Sequence, residues 1–502
     1  MTIIANPPPH ATRMTYIGAI LLVLVALAGC AMLPKPTQSR QVGQLGPAGS
    51  CADFFAELDQ QVQNAGVLDS GTFRIEDYPY LRVNRFLASF NGDIHDEADF
   101  YAWVARLQAL DQEGRRYEIA NLPDAMTIAG ERGATSETVQ QKVIACGDLL
   151  KDADFVAQQT RTRLQERITA PDDYLTLRRA VGLYPITSAF VFQGVLKWHA
   201  NERRRFTVQP PAGWRSVIYA PPDSPRRDAS EIVARVQRDA LGIPLYTPAE
   251  QEALLQFHAP VWEVETAGDF DRVGTPYWTE QGRLDVDTQQ PAVYTLISFT
   301  RFGSEILTQL NYISWFSARP KQSVLDLYGG LLDGVNFRVT LDAAGVPLLY
   351  ESMHNCGCYY KAYPTHRLQV RETIAYQEPP LILQAPEIDP GTQLITVAME
   401  SRTHYVQHLY TTDRRRPPHA VTYTLIDYGH LRSMARPDGG RSSMFDQYAI
   451  AHGSHRLERY LFWPMGVLSP GAMRQSGRHA VAFIGRRHFD DPHYLQEMFV
   501  RK

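Results

Sequence analysis

A histidine and two cysteines alternate in Met353-His354-Asn355-Cys356-Gly357-Cys358-Tyr359-Tyr360, the stretch whose residue types are best suited to chemistry. Zinc accepts imidazole nitrogen and thiolate sulfur. In an extended strand His354, Cys356 and Cys358 would all point to one face, so the three could act as ligands, with His366, His404 or His408 as a fourth. The cysteine pair admits two further readings. Alternate residues of a strand lie about 6.5 Å apart, near the upper limit for a disulfide, and Gly357 permits a bend that would close the gap. Such a bridge could staple the turn or, being strained, exchange thiols with a partner. On the residues alone, metal site, staple and redox pair stay open.

Histidines crowd the same half of the chain: eleven of the fifteen lie between His354 and His493. The pairs His404/His408, His452/His455 and His488/His493 offer ligands or a general base near neutral pH, and Asp490 and Asp491 stand between the last two. Asp326, Asp333, Glu351 and His354 could face one cleft. Familiar catalytic signatures are missing. The sequence has no G-x-S-x-G, H-E-x-x-H, P-loop, G-x-G-x-x-G or C-x-x-C, so the common hydrolase, zinc-protease, nucleotide and thioredoxin classes lose weight. A formal net charge of -4 points to no nucleic-acid partner.

The elements that must position these residues fall into two kinds. From Cys51 to residue 257 apolar residues recur at helical spacing: Phe54, Leu58 and Val62 before a stop at Gly66; Phe100, Val104 and Leu107; then Val139, Val143 and Cys146 behind Ser136 as N-cap. The stretch from Ile186 to Phe206 is the most apolar helix and ends in Arg203-Arg204-Arg205, charges that suit a helix C-terminus. From residue 258 to 502 strands dominate, with hairpin turns at Phe302-Gly303-Ser304-Glu305 and Asp342-Ala343-Ala344-Gly345. The expected fold class is α+β: a helical N-terminal domain (51–257) followed by a mainly antiparallel β domain (258–502).

Ahead of these lies an uninterrupted run of small and apolar residues from Ile17 to Gly29. Thirteen helical residues span roughly 20 Å, short of a hydrocarbon core of about 30 Å, which suits a signal-peptide core better than a membrane span. The run ends in Leu27-Ala28-Gly29-Cys30, which resembles the lipobox of bacterial lipoproteins. That resemblance implies removal of residues 1–29, diacylation of Cys30 and, with Ala31 rather than aspartate following, attachment to the periplasmic face of the outer membrane. Residues 30–50 then read as a flexible tether rich in Pro, Gly, Gln and Ser. The segments YPYLRVNRFLASF (78–90), WFSARPK (315–321) and HNCGCYY (354–360) resemble uncharacterised proteobacterial envelope proteins, a likeness that implies location and no activity.

In an oxidising compartment the four remaining cysteines become disulfide candidates. The natural division pairs Cys51 with Cys146 and Cys356 with Cys358. Closing the 95-residue separation between the first two contributes about 4 to 5 kcal/mol by loop entropy. Behind an export signal, a staple or strained disulfide at Cys356–Cys358 moves ahead of zinc. The resulting expectation is a lipid-anchored envelope protein that binds or scaffolds an envelope protein or cell-wall ligand, with no cofactor assigned. The alternative is a metal-dependent or thiol-redox enzyme centred on His354, Cys356 and Cys358.

Overall fold

A computed structural model describes residues 47–123, 135–206, 214–223, 229–374 and 376–502. Residues 1–29, read from sequence as a signal peptide, Cys30 and most of the stretch read as a tether lie outside them. Helix α1 (Pro47–Ala65) starts inside the stretch read as tether and buries Phe54, Leu58 and Val62. It ends at Gly66, whose φ of +68° is a left-handed conformation that glycine adopts without steric cost. A short hairpin follows, β1 (Phe73–Ile75) against β2 (Tyr78–Val83), and every residue of β2 is buried. Helices α2 (Glu97–Ala120) and α3 (Ser136–Asp154) close over it, burying the expected Phe100, Val104, Leu107, Val139, Val143 and Cys146. The cap of α3 is Thr135, whose side chain accepts from the Thr138 amide, so Ser136 is already helical. The Cys51–Cys146 disulfide joins α1 to α3.

Charge runs through the centre of this helical part. The buried Arg82 guanidinium donates to both oxygens of Glu118 at 2.8 Å and to Asp111 at 3.0 Å. Arg115 bridges Asp111 and Asp59, each at 2.8 Å. Carboxylates and guanidiniums interleave, so each of these buried ions meets an opposite charge, the condition under which burying ions is tolerable.

Helix α4 (Tyr184–Arg205) is the apolar segment expected from sequence, yet it buries only Ser188, His199 and Glu202. Past it the chain forms three two-stranded ribbons and two large sheets. Strands are β3 (Ser216–Ala220), β4 (Val261–Glu265), β5 (Ala292–Phe302), β6 (Glu305–Arg319), β7 (Gly330–Leu341), β8 (Pro347–His354), β9 (Lys361–Pro364), β10 (Leu381–Ile382), β11 (Gln393–Met399), β12 (Val406–Asp413), β13 (Val421–Thr422) and β14 (Thr424–Asp427). A seven-stranded sheet runs β10-β9-β8-β7-β6-β5-β14 and a five-stranded sheet runs β12-β11-β4-β3-β13. The hairpins fall where turn residues placed them. Phe302 pairs with Glu305 across Gly303-Ser304, and the Asp342 side chain accepts the amides of Ala344 and Val346. The two sheets share one core, in which Trp262 meets Phe337 edge to face.

Antiparallel pairing prevails, with parallel pairs at β9/β10, β4/β11, β3/β13 and β5/β14. Strand β3 lies before residue 258 and still belongs to the β part. Tyr423, fully buried, sits where β13 in one sheet gives way to β14 in the other. The chain from Arg432 onward is mostly irregular and ties back to the helical part: Arg432 pairs with Asp69, Arg478 with Asp173 and Asp490 with Arg85. No helix among the described residues is long and apolar enough to cross a membrane.

The ionic centre yields a pH prediction. Burial alone would raise the Glu118 carboxyl, but Arg82, Arg74 and Arg115 outweigh it and hold it down to about 2. A carboxyl depressed in the fold contributes stability above its ordinary range, and that stability is lost as pH falls toward 2. Glu118→Gln should cost about 3 to 5 kcal/mol near neutrality, read as a lower denaturant midpoint. The variant's midpoint should then fall less steeply than that of the unaltered protein between about pH 5 and pH 2.

Candidate ligand cavity

The turn after β8 decides what His354, Cys356 and Cys358 can do together. The strand ends at His354, whose amide donates to the Cys358 carbonyl at 3.0 Å while the Gly357 amide donates back to the His354 carbonyl at 2.8 Å. Gly357 has φ +87°, and a Cβ there would stand 2.4 Å from the Ala480 carbonyl oxygen, so the position admits glycine alone. The chain folds back where the zinc reading needs it extended, and strand alternation no longer gathers the three side chains on one face. Among the described residues no group of three or more His, Cys, Asp or Glu is placed to hold a metal ion. The described fold does not gather His354, Cys356 and Cys358 as a set of zinc ligands. Cys356 and Cys358 stand as free thiols rather than the expected staple. The Cys358 amide donates to the Cys356 sulfur at 3.3 Å.

His354 instead joins a buried line of alternating acids and imidazoles. Its Nδ1 lies 3.4 Å from Asp333 Oδ1, and the other Asp333 oxygen takes His404 Nδ1 at 2.8 Å. His404 Nε2 lies 3.2 Å from Asp271 Oδ1, off the line of a good hydrogen bond. Asp271 is held in turn by the amides of Arg402 and Ala267. The fold explains the meeting. Strands β4 and β11 are parallel, so the turns beyond their C-terminal ends carry Asp271 and His404 to one end of the sandwich, where β7 and β8 deliver Asp333 and His354.

Burial would raise Asp333, yet the two imidazoles hold it well below the usual carboxylate range. Burial would lower His404, and its two carboxylate neighbours raise it above an ordinary imidazole; His354 moves the other way, lowered by burial against the pull of Asp333. The line thus alternates carboxylate and imidazole from Asp271 through His404 and Asp333 to His354. Among the described residues His354 Nε2 has no hydrogen-bond partner, and the ring meets Tyr359 and Tyr405 edge to face at 5.0 and 5.5 Å.

Of the acids expected to share a cleft, only Asp333 reaches His354. Glu351 forms a two-pronged pair with Arg338 at 2.7 Å, and Asp326 accepts the amides of Gln322, Tyr328 and Gly329. The other histidines disperse: His408 packs on Trp214, His452 on Trp278, His455 bonds Ser469, His488 leans on Asp172, His493 bonds Gln496, and His366 is exposed. Asp490 is taken up by Arg85, and Asp491 accepts the His493 amide.

Tyr359 and Tyr405 also line a cavity of about 600 Å³ between α4 and the β part. That volume lies in the range of small-molecule sites. One side comes from Phe190, Val195 and Trp198 of α4, the opposite side from Cys358, Tyr359 and Tyr405. Trp198 lies 5.5 Å from Tyr359, which lies 4.5 Å from Tyr405. The helix is pinned through Glu202, whose carboxylate takes the buried Lys361 ammonium at 2.7 Å and the Gln407 amide at 3.1 Å. Further along, Ile186 is 61% and Phe190 78% exposed, so the apolar face opens onto the cavity and solvent in place of a packed core.

Glu458, from the irregular tail, lines the same space; burial pushes its carboxyl up to about 7 against the opposing pull of Arg319 and Arg456. Neither Glu458 nor Asp271 sits in a motif that sequence reasoning could have read. The chain matches no known protein family, no curated protein and no solved structure.

The thiol pair generates its own test. Hydrogen bonding with Cys356, and then burial, push the Cys358 thiol well above its ordinary value, which leaves little thiolate at neutral pH. Iodoacetamide should modify the native protein at least about tenfold more slowly than an exposed thiol. Unfolding without reductant should release two alkylation sites by intact mass, Cys356 and Cys358, with Cys51 and Cys146 protected. No adducts would mean that the pair is bridged.

Proposed function

We propose that this chain is a lipid-anchored protein of the periplasmic face of the outer membrane that binds an apolar ligand between α4 and the β part. The observation that supports the reading is the aromatic cavity of about 600 Å³, lined by Phe190 and Trp198 of α4 and by Tyr359 and Tyr405 of the β part. A helix of this length that leaves Phe190 and Ile186 exposed forgoes about 1.5 to 3 kcal/mol for each large apolar side chain it fails to bury, a cost that a bound apolar molecule offsets. The anchor rests on the resemblance of Leu27-Ala28-Gly29-Cys30 to a lipobox. A binding role fits better than catalysis at His354, because Tyr359 and Tyr405 line the cavity and His354 does not. A thiol-exchange role fits less well, because the Cys358 thiol is shifted away from the reactive thiolate.

Diphenylhexatriene, a neutral apolar fluorophore, reads the cavity. It should bind saturably at one molecule per chain and quench Trp198. Gly194 lines the cavity with no atom within 4 Å of an added Cβ, so Gly194→Trp should fill the space without a clash. That variant should weaken binding about tenfold or more and leave the melting temperature unchanged. Equal binding by both proteins, or none by either, would contradict the reading. Mass spectrometry of the mature N-terminus reads the anchor: a diacylated Cys30 is expected, and an unmodified Cys30 would overturn it.

A further inference from the structure

Of the acids and arginines on the cavity wall, one has its chemistry unspent. Arg487 lines the space, but its guanidinium donates to the carbonyls of Glu378 and Val481 and rests over the Tyr360 ring. Glu378 accepts the amides of Phe483 and Ile484. Glu458 differs. It is only 5% exposed, and among the described residues its carboxylate has no hydrogen bond or ion pair. Arg456, two residues before it, is committed to the carbonyls of Leu331 and Leu332, and Arg319 lies over the rings of Tyr328, Tyr359 and Tyr405 without lining the cavity. The Glu458 Oε1 atom occupies the place where a Cβ on Gly471, another wall residue, would stand 1.8 Å away. Glycine at 471 makes room for the carboxylate at the wall.

A buried carboxylate without a partner is costly, and the cost falls when a donor or cation meets it. Around it the wall is apolar and aromatic, with Phe190, Val195, Trp198 and Phe462 to receive a hydrocarbon chain. We infer that the ligand is an apolar molecule carrying one protonated amine, its chain lying along Phe190 and Val195 and its ammonium donating to the Glu458 carboxylate. This rests on the ligand-binding reading above and adds the chemistry of the head group.

The test compares three single-chain amphiphiles of equal length, dodecylamine, dodecanol and dodecanoate, below their micellar concentrations, by calorimetry on the full secreted protein in mildly alkaline buffer. Dodecylamine should bind roughly tenfold more tightly than dodecanol, the scale of one charge-assisted hydrogen bond in a buried site, and dodecanoate most weakly. In Glu458→Gln the amine should lose that advantage while dodecanol binding is retained. The unaltered protein alone already decides the matter, so a variant that misfolds does not rescue the inference. Equal affinity for all three, or preference for dodecanoate, would overturn the amine assignment and leave the cavity reading standing. Binding of none of the three would overturn both.

Discussion

The line from Asp271 through His404 and Asp333 to His354 is the constraint on which the site depends. It joins four segments remote in sequence at one end of the sandwich, and each imidazole–carboxylate contact is buried. Removing one member would leave an unpaired charge in a low-dielectric interior, which is why such lines hold geometry even where they add little net stability. Phe316 stacks on the His404 ring at 3.9 Å, and that ring is fully buried. With His354 fixed, the turn through Gly357 is fixed, and so are the Tyr359 and Tyr405 rings that edge against it.

The opposite wall is held by a different device. Helix α4 is anchored near its C-terminus by Glu202 against Lys361 and near its start by Tyr184, whose hydroxyl accepts the Gly485 amide. Between these ends the helix spans the gap with its apolar residues facing space. Two fixed walls and an unfilled interval produce a cavity where hydrophobic collapse alone would close one. The helical part and the irregular C-terminal tail are locked by Arg85 and Arg432, so the tail that contributes Glu458 and Gly471 is held on both sides.

How much of this was legible depended on the range of the interaction. The faces of α1, α2 and α3 could be read because Phe54, Leu58 and Val62 repeat at the helical period, a local property. The turns at Gly303 and Asp342 could be read from their residue types, and the Cys51–Cys146 pairing from counting cysteines. Long-range placement could not. Asp271 meets His404 only because β4 lies parallel to β11, a pairing between segments about 130 residues apart that no local pattern announces. Apolar periodicity in α4 could not distinguish a face that packs a core from one that lines a cavity. At Gly357 the residue type announced a bend, yet the alternation of His354, Cys356 and Cys358 was read as if the strand ran on. Glu458 comes from a tail with little regular structure and no pattern to read.

The account stands on the space between α4 and the β part being a ligand site. Hydrogen–deuterium exchange of the intact protein with and without saturating diphenylhexatriene measures this most directly, because a ligand clamped between two walls stabilises both against local opening. The account predicts slowed exchange in residues 184–205 and 356–360 and little change in α1, α2 and α3. Unchanged exchange in both walls while the probe is bound would place the ligand elsewhere and contradict it.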